Sequence, residues 1–425
     1  MLITVKRRYK VIIDSKKYNG KCSCGKEHFM TTELCIIEKG CMSKISDYVN
    51  QCGLSGFSVA VYDENTYNAE GIVRPLCDVE IVLPAKNLHA NENGVEMLLN
   101  RLPERLDYII AVGSGTVHDI TRYCAYEKNI PFISCPTAAS VDGFCSSVAA
   151  MTWHGFKKTF VAAAPKLVIA DLNIISKAPM FLTRSGFGDM IGKFISLFEW
   201  KMSSALCNEY FCDKIYDMTL DATKAVLDAA DGIKEGSFDS YEKLTYGLIV
   251  SGLAMQLLGS SRCASGAEHH ISHLIEMEPQ GILLRSDALH GEKVGVGTLI
   301  ATKEYHRLSR EKLSFKDYPE IEDDYIIKAF GDRLAESIIK ENQHDAASGI
   351  TAEILENKFE KIQGLIKEIP EYEKLINIYE NLGLKTTLSD IGVNEDKLDL
   401  ILEYSPLVRN RLTLMRLRRA IITKI

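Results

Sequence analysis

Five short strand-like runs recur in the first 175 or so residues: FSVAVYD (57–63), VEIVLP (79–84), DYIIAVGSG (107–115), NIPFISCP (129–136) and KLVIADL (166–172). Helical stretches lie between several of them: MSKISDYVNQCG (42–53), GVEMLLNRLPERL (94–106) and VHDITRYCAYEK (117–128). Strands that alternate with helices need crossover connections, and crossovers give a mostly parallel sheet. MTWHGFKKTFVAAAP (151–165) reads as an extra hairpin turning at Gly155. After about residue 178 the strand signal ends and long helical stretches follow. A chain of 425 residues is too long for one ordinary core. The expectation is an α/β chain: an N-terminal, mostly parallel sheet domain over 1–178 and an all-helical domain over 179–425, with the boundary near Ser176–Pro179.

Charge narrows the function. The formal net charge is −7, which lacks the basic footprint that nucleic acid requires. No apolar run approaches the roughly 18 residues needed to cross a bilayer. The start, MLITVKRRYKVIID, alternates like a strand and lacks a continuous apolar segment, so no signal peptide is expected. Twelve cysteines without such a peptide suggest reduced thiols and a cytoplasmic protein. Cys22, Cys24 and His28 (KCSCGKEH) invite a zinc reading. The C-x-C spacing is not that of a zinc ribbon, and no second cysteine pair follows at the right distance. A hairpin turn at Gly20 and Gly25 is the better expectation.

Several motifs carry chemistry. GSGTVHD (113–119) ends an apolar strand and opens a helix, where Gly113 and Gly115 let a phosphate approach and free N–H groups can hold an anion. A plain tight turn reads equally well, and position 118 is His118 rather than the glycine of a G-x-G-x-x-G fingerprint. Asp119 suits the first turn of the helix or braces the loop. Asp63 follows a strand and could accept from both hydroxyls of an adenine ribose, or be a surface turn residue. PTAASVDGFCSS (136–147) offers Thr137, Ser140, Asp142 and Ser146 at a sheet edge. Asp189 in GFGDMIGK reads as a helix N-cap or a ligand. GAEHHISHLIE (266–276) puts His269 and His273 on one helix face, four residues apart, while His270 points elsewhere. His290 opens another helix in DALHGEKVGVG. Asp189, His269 and His290 together offer one carboxylate and two imidazoles, a count that suits a catalytic metal with an open position.

The series DENTY, GSGTVHD, PTAASVDGF, FGDMIGK, SGAEHHISH and LHGEKVGVG, in that order, resembles the sn-glycerol-1-phosphate dehydrogenase family. That family belongs to the superfamily of iron-containing alcohol dehydrogenases, glycerol dehydrogenases and dehydroquinate synthases. The resemblance runs from about residue 35 to 310 and extends to the KCSCGKEHFM segment of bacterial members. It implies a Rossmann-like first domain that binds NAD or NADP, with NAD favoured. Asp63 would meet the ribose. Gly115, Thr116, Val117, His118 and Asp119 would form the pyrophosphate loop. Thr137, Ala138, Ala139 and Ser140 would line the nicotinamide side, and Ser146 would touch the cofactor. Asp142 and His273 would contact substrate, and Asp189 would meet both substrate and metal. His269 and His290 would complete the metal site, for zinc or nickel, with iron or cobalt also compatible. His270 has no family role.

The reaction implied is reduction of dihydroxyacetone phosphate to sn-glycerol 1-phosphate, with Asp189 and His273 as catalytic residues. No nucleic acid or membrane partner is expected, and the family suggests a homodimer or larger homo-oligomer. Arg262 in GSSRCASG is a candidate for the substrate phosphate. The rival readings are a glycerol dehydrogenase, a dehydroquinate-synthase-like sugar-phosphate lyase, and a nucleotide-binding regulator without activity.

Overall fold

The computed structural model describes residues 5–7, 10–154 and 156–423. The chain packs as two compact units. The first comprises residues 1–190 and 217–260, the second 191–216 and 261–425. The division 1–178 and 179–425 is thus one of secondary structure rather than of packing: the helical segment 217–260 packs with the sheet.

The first unit is built on an eight-stranded sheet. Its strands are β1 (Val5–Arg7), β2 (Lys10–Asp14), β3 (Leu34–Glu38), β4 (Ser58–Asp63), β5 (Val79–Leu83), β6 (Tyr108–Gly113), β7 (Phe132–Pro136) and β10 (Pro165–Asp171). The order is β1-β2-β3-β10-β7-β6-β4-β5. From β3 to β5 every neighbouring pair is parallel, whereas β1 and β2 run antiparallel at one edge. The five expected strands are all present. β3 is one the sequence reading left out, because LCIIE is a short, unbroken apolar run without alternation.

The pleat sorts side chains to the two faces. Ala60, Tyr62, Ile110 and Val112 pack on one face with helix α1 (Ile45–Gln51). Val59, Val61, Ile109 and Ala111 pack on the other with α2 (Glu92–Leu99) and α3 (Gly115–Glu127). The helix expected over 94–106 stops at Leu99, ahead of Pro103, whose ring disfavours a helical residue before it. The expected extra hairpin pairs β8 (Val148–Trp153) with β9 (Phe156–Val161). Its turn at Gly155 lies outside the described residues.

Parallel strands place their carboxyl ends together. Asp63 ends β4, Gly113 ends β6 and Pro136 ends β7, and Gly113 is in register with Pro136. Three motifs therefore reach one sheet edge, where open α/β sheets bind ligands.

The second unit is helical except for a three-residue antiparallel ladder, Leu313–Phe315 with Ile421–Thr423, which corrects the all-helical expectation. Its core gathers Ile195, Phe198, Tyr305, Phe359, Leu414 and Met415. Helices α7 (Ala267–Met277) and α8 (His290–Arg310) cross at close range in this unit. A Cβ on Gly297 would stand 2.6 Å from the Glu268 carbonyl oxygen, so this crossing needs glycine.

Candidate active site

In the first unit, the GSG turn is organised by packing. A Cβ on Gly113 would lie 2.8 Å from the Val117 side chain, so this glycine serves the fit of strand to helix. At Gly115 the same atom would meet only ordinary contact with Val141, 3.5 Å away. Ser114, at the N-cap of α3, makes no side-chain cap bond, which leaves the first N–H groups of the helix to an outside acceptor. The His118 ring does not face that acceptor. It is buried against Phe132 and Phe144, and its Nδ1 lies 2.9 Å from the Ser114 carbonyl oxygen. Burial, and then the charge of Arg122, pushes its pKa down to about 3. Asp119 lies 3.8 Å from the Arg122 guanidinium.

Arg122 was not foreseen. Its side chain is fully buried, and it donates to the carbonyls of Phe144 (3.2 Å), Ser146 (3.0 Å) and Val148 (3.1 Å). One cation thus ties the PTAASVDGFCSS loop to α3. In that loop Thr137 N–H donates to the Gly113 carbonyl (3.0 Å), and Ala138, Ala139 and Ser140 are buried. Ser146 spends its hydroxyl on the Val148 carbonyl, 2.9 Å away. Helix α4 (Met180–Ile191) lies hard against the loop: a Cβ on Gly186 would stand 2.0 Å from the Ala139 carbonyl oxygen. Fully buried Asp189, on the same helix, accepts from the Asp142 N–H at 3.0 Å. Asp142 in turn accepts from Ser251 Oγ at 2.8 Å, on α6 (Phe238–Leu258). Asp142 and Asp189 are therefore neighbours. Asp63 sits at its strand end as the cap of a short helix, accepting from Thr66 N–H (2.8 Å) and Thr66 Oγ1 (3.2 Å).

In the second unit, three histidine rings meet. Centroids are 5.4 Å apart for His269 and His290, 5.8 Å for His273 and His290, and 6.0 Å for His269 and His273. Two carboxylates that the sequence reading missed stand behind them. Glu268 Oε1 lies 2.8 Å from His269 Nδ1, and Glu276 Oε1 lies 3.0 Å from His290 Nδ1. A carboxylate accepts, so both Nδ1 atoms donate, which in the neutral ring makes Nε2 the nitrogen able to ligate a metal. Glu276 also faces His273 (3.5 Å) and Lys293 (3.1 Å). Burial pushes its carboxyl up, but His290, His273 and Lys293 outweigh burial and hold it well below the usual carboxylate range. Burial, with His290 and Arg409, lowers the His273 pKa to about 3 against the pull of Glu276. His270 points away, fully buried, with neither ring nitrogen hydrogen-bonded among the described residues.

Arg262, the candidate for the substrate phosphate, is buried and held within the protein. It donates to Glu209 (3.0 Å) and to the carbonyls of Glu199 (3.0 Å) and Leu412 (2.8 Å).

The pattern that defines the iron-containing alcohol dehydrogenases matches residues 36–179. A glycerol-1-phosphate dehydrogenase, NAD(P)+, of Halalkalibacterium halodurans is 33% identical over 415 residues, covering 94% of this chain and 96% of that one. The chain belongs to the glycerol-1-phosphate dehydrogenase family. A second glycerol-1-phosphate dehydrogenase, from Geobacillus thermodenitrificans, is 35% identical over 374 residues and 84% of each chain. The fold of this glycerol-1-phosphate dehydrogenase family member is also that of a sulfoacetaldehyde reductase from Bifidobacterium kashiwanohense solved with NAD+, at TM-score 0.56, 16% identity, 90% of this chain and 94% of that one.

An NAD(P) cofactor and a divalent metal fit the family, and the residues present fit both. On the metal side, imidazoles whose Nδ1–H is held by a carboxylate are the usual form of metal-ligating histidine. On the cofactor side, α3 starts without a side-chain cap, and the buried Ser140 hydroxyl has no hydrogen-bond partner among the described residues. A second donor set exists within the second unit: ligand atoms of His273, Glu276 and His290 lie within 4.8 Å of one another. Among the described residues no helix is long and apolar enough to cross a membrane.

Proposed function

We propose that this chain reduces dihydroxyacetone phosphate to sn-glycerol 1-phosphate, with Asp189, His269 and His290 as the metal ligands. One observation carries the reading to these residues: His269 and His290 share a cluster, and each has its Nδ1 held by a carboxylate. NAD(P)H supplies the hydride, and a divalent ion supplies Lewis acidity at the ketone oxygen. Zinc or nickel is the ion favoured; an O/N₂ donor set also accepts iron or cobalt.

The protein's own groups orient the reactants. The N–H groups at Gly115, Thr116 and Val117 would hold the pyrophosphate at the start of a helix. Thr137 and Ser140 would face the nicotinamide. Asp63 would accept from the ribose hydroxyls; a carboxylate has about four acceptor sites, so its bonds to Thr66 leave capacity. That charge repels a 2′-phosphate and favours NADH over NADPH. Asp142 and His273 would hydrogen-bond the substrate's hydroxyl and ketone oxygens, and His273 would take part in a proton relay towards the product oxygen. A homodimer or larger assembly in the cytoplasm belongs to the same reading, and twelve cysteines suit a reducing compartment.

Steady-state kinetics test the assignment, with dihydroxyacetone phosphate and dihydroxyacetone as substrates and NADH and NADPH as cofactors. The phosphorylated ketone is expected to win by at least about tenfold in kcat/KM, the worth of one charge-assisted contact, and NADH to be preferred. Equal use of the two ketones makes the protein a glycerol dehydrogenase. Phosphate release without net NADH oxidation makes it a lyase.

A further inference from the structure

The KCSCGKEH segment, set aside as a plain hairpin by its spacing, gathers more chemistry than a turn needs. The hairpin is real. Gly20 and Lys21 pair with His28 and Glu27, Cys22 N–H donates to the Lys26 carbonyl at 2.9 Å, and Gly25 N–H donates to the Cys22 carbonyl at 3.1 Å. Gly25 has φ +88°, which only glycine adopts readily. This fold brings together Cys22 Sγ, Cys24 Sγ and a ring nitrogen of His28, all within 4.8 Å of one another. Cys24 Sγ and His28 Nε2 are 3.2 Å apart.

The histidine is prepared for a ligand. His28 is buried, and its Nδ1 lies 2.7 Å from the Leu257 carbonyl oxygen. A carbonyl can only accept, so Nδ1 carries the proton and Nε2 presents its lone pair to the thiols. This tautomer, fixed by a backbone carbonyl, is the one that metal-bound histidines use.

A two-rung ladder is also too short to hold itself. Apolar burial does not make up the deficit, because most of residues 20–29 face solvent and Phe29 is 59% exposed. Something must fasten this segment. Gln256, at the end of α6, bonds to Thr31 and Thr32 just beyond it.

We propose that Cys22 Sγ, Cys24 Sγ and His28 Nε2 hold a structural zinc ion, with a fourth donor from outside the hairpin. Tetrahedral zinc, with bonds of roughly 2.0–2.3 Å, sets its donors about 3.3–3.8 Å apart, a spacing this cluster reaches with small shifts. Binding converts two thiols to thiolates and releases two protons, so the charge of the dication is balanced at the ligands. The ion fastens the hairpin to the carboxyl end of α6, the helix whose Ser251 supports Asp142.

The test uses the full-length protein loaded with cobalt in place of zinc. Cobalt bound by thiolate gives an intense near-ultraviolet charge-transfer band, which a site of carboxylate and imidazole cannot give. The expected result is that band, together with X-ray absorption showing two or three sulfur neighbours and at least one nitrogen. C22S/C24S should lose the band and one metal equivalent per chain while keeping the other metal; S23A should change neither. If C22S/C24S fails to fold, the spectrum of the parent protein decides alone. A folded parent with no band and no sulfur neighbours overturns the proposal, as does a band that survives in folded C22S/C24S.

Discussion

His28 and His269 are fixed by the same device with different acceptors. His28 Nδ1 donates to a neutral backbone carbonyl at 2.7 Å, His269 Nδ1 to the Glu268 carboxylate at 2.8 Å. In the hairpin, the negative charge that a dication needs sits on the proposed ligands themselves, two thiols. In the histidine cluster Asp189 is the one proposed ligand that carries charge, and the other carboxylates, Glu268 and Glu276, stand one atom layer back, behind the imidazoles. A site of thiolates is closed and strong, which suits a brace. A site with one carboxylate ligand and two imidazoles backed by carboxylates carries less charge on the ion and keeps a position open for an incoming oxygen, which suits a substrate that must bind and leave. Placement of charge, more than the count of histidines, separates the two.

Glu268→Gln probes that placement directly. Glutamine still offers an oxygen to Nδ1–H, so the tautomer survives and only the charge goes. Metal affinity in a competition titration is expected to fall by about 10- to 100-fold, the usual cost of a lost supporting partner, with activity following metal occupancy. Unchanged affinity would mean that the charge behind His269 is irrelevant, and the contrast with His28 would lose its content.

Acidic support carries a pH signature that carbonyl support lacks. Glu199, on α5 (Lys193–Cys207), accepts from the Ala267 N–H at the head of α7 at 2.9 Å and from the Leu414 N–H at 3.2 Å, and Tyr305 donates to it as well. Burial first, and then the Glu268 charge, raises its pKa from 4.5 to about 8. Between those values the folded protein holds a proton that the unfolded chain has released. Stability attributable to this group is therefore greatest below 4.5, falls as pH rises, and is fully lost above about 8. The loss should be roughly a few kcal/mol. In Glu199→Gln that slope should flatten, whatever the variant's absolute stability. Urea denaturation at several pH values in this window reads it, and parallel slopes for parent and variant would remove Glu199 from the account.

How much of this was legible follows from what a linear pattern can encode. The strands β4 to β7 and β10 announced themselves as short apolar runs between helices, and their carboxyl ends placed Asp63, the GSG turn and the PTAAS loop on one edge. His269 and His273 were readable from helical spacing, and His290 from its place at a helix start. Glu268 was not readable. Adjacent residues on a helix usually point apart, so a carboxylate turning back onto the very next ring is visible only in three dimensions. Glu276 lies three residues after His273, on the same face, and helical spacing could have found it. Arg122 and Arg262 are buried cations that tie loops through carbonyl oxygens, and carbonyls carry no sequence signature. The hairpin at Gly20 and Gly25 was readable and is present; the C-x-C spacing does not show that His28 comes back beside the two thiols. The deciding feature, His28 Nδ1 on the Leu257 carbonyl, joins residues 229 positions apart.

The central claim is that His269 binds the metal and that His273, one turn on, binds the substrate. The most direct measurement is metal content per chain in His269→Ala and His273→Ala, with folding verified by circular dichroism and dihydroxyacetone phosphate reduction measured on the same samples. The account predicts that His269→Ala loses the active-site metal and its activity together. His273→Ala should retain the metal and lose roughly ten- to a hundredfold in kcat/KM, the worth of one substrate hydrogen bond in a closed site. The opposite pattern, metal lost in His273→Ala and kept in His269→Ala, would contradict it and move the ion to His273, Glu276 and His290.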